Sequence, residues 1–109
     1  MARLASGVWV SAYLMRLQAQ GIYAHVVHRG EVTAGAVAVK LATMDGQASV
    51  FVRTLDGEGN RVWAALVEHG PEPQADEAIA RQRRYDRDLW VLEVEDPRGR
   101  HLLGEEGLD

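Results

Sequence analysis

The chain is predicted to fold as an α+β domain, a single mainly antiparallel sheet with helices packed against it, in the order α-β-β-β-β-α-β with a short C-terminal β return. Three observations carry this. Apolar residues recur at helical spacing between Ser6 and Gln20. Four strand-like runs then follow, joined by short turn-rich segments with no room for a crossover helix. A second helical stretch is succeeded by the alternating run Leu89–Glu95 and a Pro-Gly turn.

In the first element, Trp9, Ala12, Tyr13 and Leu17 fall on one helical face. Ser6 is placed to cap the first turn and Gly21 to end the helix. Val8-Trp9-Val10 is β-prone, so a strand start there is the competing reading. The strand-like runs are Ile22–Arg29, Gly35–Thr43, Gln47–Leu55 and Arg61–Val67. Met44-Asp45-Gly46 carries the Asp-Gly pair of a tight hairpin, and 56–60 reads as a longer loop. Short separators predict a meander of successive antiparallel neighbours. Pro71 and Pro73 break the sheet. Gln74–Arg84 reads as a helix with Asp76 and Glu77 early and Arg81, Arg83 and Arg84 late, a charge order that complements the helix dipole. Glu77 and Arg81 sit four apart and can pair. In the last strand Trp90, Leu92 and Val94 share the core side, while Val91, Glu93 and Glu95 share the wet side. Asp96-Pro97-Arg98-Gly99 reads as a turn, after which Arg100–Leu103 pairs back.

The 109 residues suit one domain, 1–109, with about 104–109 expected to be a frayed acidic tail. Apolar residues make up 47% and charged residues 26%, a globular composition. The chain contains no cysteine, which excludes disulfides, thiolate metal sites and cysteine nucleophiles. A net charge of −4 argues against nucleic acid as the main partner. No apolar run approaches the ~20 residues that span a bilayer. Arg16 and Gln18 interrupt the apolar opening, so a secretion signal is not expected and a cytoplasmic protein is.

Candidate chemistry is sparse. His25 and His28 are three apart on a strand, which puts them on opposite faces unless the strand bulges. His69 and His101 have no carboxylate at a ligand spacing, so no metal site is expected. The serines lack a nucleophile-elbow context and Gly57-Glu58-Gly59 is no phosphate loop. Glu93 and Glu95 share a strand face, a pattern that suits solvation better than acid–base catalysis. No catalytic residue and no cofactor is assigned.

One surface stands out. If Ile22, Ala24 and Val26 share the core face with Val37, Val39, Leu41, Val50 and Val52, the other face collects Tyr23, His25, Arg29, Lys40, Phe51 and Arg53. Arg61 and Trp63 join them if the parity continues. Bases interleaved with aromatics can stack single-stranded nucleic acid. A half-apolar second face is more readily explained by a protein partner or a second copy of the chain. The run ARQRRYDRD, Ala80–Asp88, is read mainly as an internally paired helix end, with guanidinium forks for an anion as the alternative.

SGVWVSAYLMR, GAVAVKL and the closing RRYDRDLWVLEVEDPRGRHLL resemble a group of short alphaproteobacterial proteins, a domain-of-unknown-function family (number fourteen-ninety-one in the usual naming). The likeness spans almost the whole chain. Its most specific part is the closing motif, where the family pattern runs arginine-aromatic-Asp-Pro-Asp-Leu-Trp, an acidic strand and Gly-Arg-His. Arg87 stands where that pattern has proline. The resemblance implies a small bacterial α+β domain and supplies no catalytic or binding residues. The expected function is a non-enzymatic interaction or accessory domain that self-associates, with single-stranded nucleic-acid binding as the alternative. An enzyme using Glu93, Glu95 or His101 is the more distant one.

Overall fold

A computed structural model describes residues 4–105 and Leu108. Its elements are α1 (Ser6–Ala19), β1 (Tyr23–His28), β2 (Val37–Ala42), β3 (Gln47–Leu55), β4 (Arg61–Pro71), α2 (Glu72–Tyr85) and β5 (Trp90–Glu95). The order α-β-β-β-β-α-β is the one the sequence predicts, and Val8-Trp9-Val10 is helical. The strands form one sheet in the order β1-β5-β2-β3-β4. Pairing is antiparallel except between β2 and β5, which run parallel.

The expected meander holds for β2-β3-β4 and fails for β1, because β5 inserts between β1 and β2. The reason lies in cover. The start of β5 is buried on both sides: Trp90, Leu92 and Val94 pack into the α1 core, while Val91 is buried with Ala38 and Leu89 against Ile79 of α2. A strand buried on both faces belongs inside the sheet, and the neighbouring β2 is buried along its whole length. β1 and β4 take the edges.

α1 and the C-terminal segment cover one face. The cluster there joins Val10, Tyr13 and Leu17 of α1 to Val37, Val39, Leu41, Trp90, Leu92 and Val94. α2 covers the other face, setting Ala75, Ala78 and Ile79 against Ala48, Val50 and Val67. This overturns the predicted parity. Val39 pairs with Phe51 and Lys40 with Val50, so Val50 and Val52 face α2 while Val37, Val39 and Leu41 face α1. Nor is the side of β5 bearing the glutamates wet throughout, since Val91 is 1% exposed.

Three local expectations also change. Ser6 is no cap: its hydroxyl donates to the Gly35 carbonyl at 2.6 Å, while the Ser6 and Gly7 amides donate to Thr33 and Val32 carbonyls. The first helical amides are thus satisfied by the loop before β2 and need no capping side chain. β4 runs four residues past Val67, because bulges between Ala48 and Phe51 carry the pairing on to Gly70 and Pro71. Finally, the Asp96–Gly99 turn forms, with the Gly99 amide donating to the Asp96 carbonyl, but 100–103 make no strand. That segment crosses the α1 face and buries Leu103. Of the tail expected to fray, residues 106, 107 and 109 lie outside the described residues. Leu108 is buried, and its carbonyl accepts the Trp9 indole N–H at 3.2 Å.

Candidate functional site

The surface predicted from strand parity is divided among three places. Tyr23 and Lys40 lie on the α2 side, Tyr23 opposite Glu95 and Lys40 between Glu93 and Val50. Arg29 follows β1 at the α1 side, its guanidinium 5.6 Å from the centre of the Trp90 ring. Phe51, Arg53, Arg61 and Trp63 share the α1 side further along the sheet, as the pairs Arg53–Trp63 and Leu55–Arg61 require. They form no open stacking platform. Phe51 meets the His101 ring at 4.7 Å, and Trp63 lies between Trp9 at 5.5 Å and the Arg53 guanidinium at 5.0 Å. Glu93 and Glu95 face the α2 side while His101 packs on the α1 side, so these three build no common site either.

Lys40 is the most constrained polar residue. Its ammonium donates to Glu72 at 2.8 Å and Asp76 at 2.7 Å, with Glu93 at 3.6 Å, and its side chain is 7% exposed. Burial alone would lower its pKa. The two hydrogen bonds, with the Glu93 and Asp76 charges, outweigh that and hold it above the ordinary lysine value. A lysine kept so firmly protonated is no nucleophile; it ties α2 to the sheet. Among the described residues no three histidine, aspartate or glutamate side chains gather as metal ligands.

The bulge between Val26 and His28 sets His28 opposite Val91 and His25 opposite Glu93. Val91 and Glu93 are two apart, so both histidines lie on the α2 side, against the parity expected from their spacing.

A concavity lies on the α1 side, next to the outer edge of β1. It is a groove of about 440 Å³ whose lining includes Val8, Leu14, Val26, Val32, Trp90 and Arg29. Its floor is built by close approach. The Trp90 indole donates to the Glu31 carbonyl at 2.7 Å and the Glu31 amide to the Asp88 carbonyl at 3.0 Å. A Cβ on Gly30 would lie 2.4 Å from the Asp88 carbonyl oxygen, so this loop fits against β5 only with glycine there. Val8 and Val32 are about half exposed. β1 itself offers a strand edge that no other strand of the described residues pairs, and Tyr23–His28 contains neither a formally charged residue nor proline.

Residues 4–104 match the family model described as Protein of unknown function (DUF1491). The chain belongs to the DUF1491 family. Among solved structures, a crystal structure of a DUF1491 family protein from Caulobacter crescentus matches at TM-score 0.86 with 38% identity, over 94% of this chain and 97% of that one. An NMR structure of a DUF1491 family protein from the same organism matches at TM-score 0.83 and 38% identity, over 96% of each chain. A solution structure of a protein from A. tumefaciens matches at 0.75 and 28%, over 86% of each. Among curated proteins no relative is found. No helix among the described residues of this DUF1491 chain is long and apolar enough to cross a membrane.

The groove was not singled out from the sequence. Its signal is the set of apolar residues left exposed at Val8, Val26 and Val32, which becomes a surface only once α1, β1 and the loop before β2 meet.

Proposed function

We propose that this DUF1491 chain is a non-enzymatic accessory domain that acts through protein contacts and self-associates through the outer edge of β1. The observation that carries this reading is the unguarded edge. Sheet proteins protect an open edge with charge, proline or irregularity, because its free amides and carbonyls invite another strand. β4 has such guards in Arg61, Glu68, Pro71 and its bulges. β1 has only the bulge at Val27, which leaves Tyr23–Val26 regular and neutral. The occupant that fits is a second copy. Two β1 strands paired antiparallel about a two-fold axis set no formal like charges opposite each other, and the adjoining grooves supply apolar surface. A cytoplasmic setting completes the reading, supported by an opening segment that contributes Val10, Tyr13 and Leu17 to the core.

Light scattering after gel filtration should return the mass of a dimer at micromolar concentration. Val26→Lys, at the edge and in the groove, should shift it to monomer with the circular dichroism spectrum retained. A monomeric wild-type chain under those conditions overturns the self-association.

A further inference from the structure

α2 ends in a run of arginines whose disposition differs from the internal pairing expected of it. None of them pairs with the interspersed Asp86 or Asp88, and Arg81 instead reaches Glu77, four residues earlier, at 3.6 Å. Ala80, Arg83 and Arg84 share one face of the end of α2, Arg87 follows just beyond the helix, and with His28 of β1 they line a cavity of about 360 Å³ on the α2 side of the sheet. We propose that this cavity binds a small phosphate-bearing anion with at least two negative charges, of the pyrophosphate or phosphate-ester class.

Among the described residues, no carboxylate lies within 4.0 Å of the side-chain nitrogens of Arg83, Arg84 or Arg87. Of the acids that adjoin them in sequence, Asp86 has one oxygen engaged by the Asp88 amide at 3.0 Å, and neither Asp86 nor Asp88 forms an ion pair with these guanidinium groups. Three permanently charged guanidinium groups around one concavity repel each other, and an anion relieves that repulsion while accepting from several planar forks.

His28 adds a fixed group from a second element. Its Nδ1 is 3.0 Å from the Leu89 carbonyl, which can only accept, so Nδ1 donates there, and Nε2 can donate to an anion once the ring takes up a second proton. The helix dipole accounts for positive charge at Arg83 and Arg84 in the last turn of α2. It does not account for Arg87 beyond the helix or for the convergence with β1. Size and surroundings select a small ligand. The site is a shallow depression open to solvent, with room for a small anion, and a polyanion continuing along this face would meet Glu93 and Glu95.

The test is titration of isotope-labelled protein with sodium pyrophosphate at low ionic strength, followed by its amide and guanidinium resonances. Saturable shifts are expected at His28 and 83–87, with affinity falling as salt rises. Arg84→Ala and Arg87→Ala should each weaken binding about tenfold, and Arg84→Lys should weaken it too, because the charge stays while the fork is lost. Arg98→Ala, on the exposed turn after β5, should leave it unchanged. These arginines are exposed, so the variants should keep the wild-type thermal midpoint. Absence of saturable shifts, or equal weakening by Arg98→Ala, overturns the site. Citrate binding as tightly as pyrophosphate overturns the phosphate assignment. A short oligonucleotide binding more tightly at the same resonances overturns the small-molecule one.

Discussion

The carboxylate of Asp96 holds Arg100 at three points. One oxygen accepts the Arg100 backbone amide at 2.7 Å and its Nε at 2.8 Å, and the other accepts Nη2 at 3.2 Å. The Asp96 side chain is 5% exposed. This clamp closes the turn after β5 and directs the chain across the α1 face, where Leu103 completes the core. In the closing motif, Glu-Asp-Pro-Arg-Gly-Arg is therefore a device for bringing the C-terminal segment over α1.

The clamp predicts an acid-sensitive contribution to stability. Hydrogen bonds from Arg100 lower the Asp96 pKa from 3.8 to about 2. The unfolded chain takes up this proton first as the pH falls, so the contribution is complete above about pH 4 and disappears as pH drops through about 2. Asp96→Asn should cost about 2 kcal/mol at neutral pH, and the difference from wild type should close across that window. Urea unfolding at a series of pH values measures it. A constant difference down to the lowest pH would mean that the asparagine fails for reasons of shape rather than charge.

Lys40 predicts a different kind of loss. In Lys40→Met the apolar stem is kept, but Glu72, Asp76 and Glu93 face one another without their cation. The expected cost is about 2–3 kcal/mol, at or just below the range for removing one partner of a buried pair, because Glu72 and Asp76 keep access to water. Glu93→Gln in the same background should recover part of it, since Glu93 is the least exposed of the three. Chemical denaturation of the two variants and their combination gives the coupling directly. A Lys40→Met protein as stable as wild type refutes the tie between α2 and the sheet.

Much of this architecture was legible from local pattern. Helical spacing places α1, charge order after the prolines places α2, turn residues separate the strands, and alternation puts Trp90, Leu92 and Val94 of β5 inward. Strand order was not legible, because nothing local to Leu89–Glu95 states that it will lie between β1 and β2. Parity failed where one residue decides it. The hairpin through Met44 and Gly46, both at positive φ, sets Val39 opposite Phe51, and a one-residue shift would have produced the predicted face. The bulge at Val27 did the same to His28. Trp63 illustrates a further limit: its indole N–H is buried with no acceptor among the described residues. The basic–aromatic surface dissolved because its members were assigned by alternation, and alternation carries no information about register.

His101 supplies the last prediction. Its Nδ1 accepts the Leu103 amide at 3.0 Å, which requires the neutral ring with its proton on Nε2. The ring packs on Phe51, and its own carbonyl accepts the Tyr13 hydroxyl at 2.7 Å. Burial lowers its pKa below 6.5. The unfolded chain therefore binds this proton more readily than the folded one, so the contribution is present above about pH 6.5 and is lost as pH falls toward the lower folded value. His101→Asn retains an acceptor near the Nδ1 position and cannot titrate. Wild-type stability should consequently fall relative to the variant as pH drops below about 6.5, a window that opens well above that of Asp96. Urea midpoints below about pH 6.5 decide the matter: parallel curves for the two proteins would show that His101 takes up its proton equally readily in the folded and the unfolded chain.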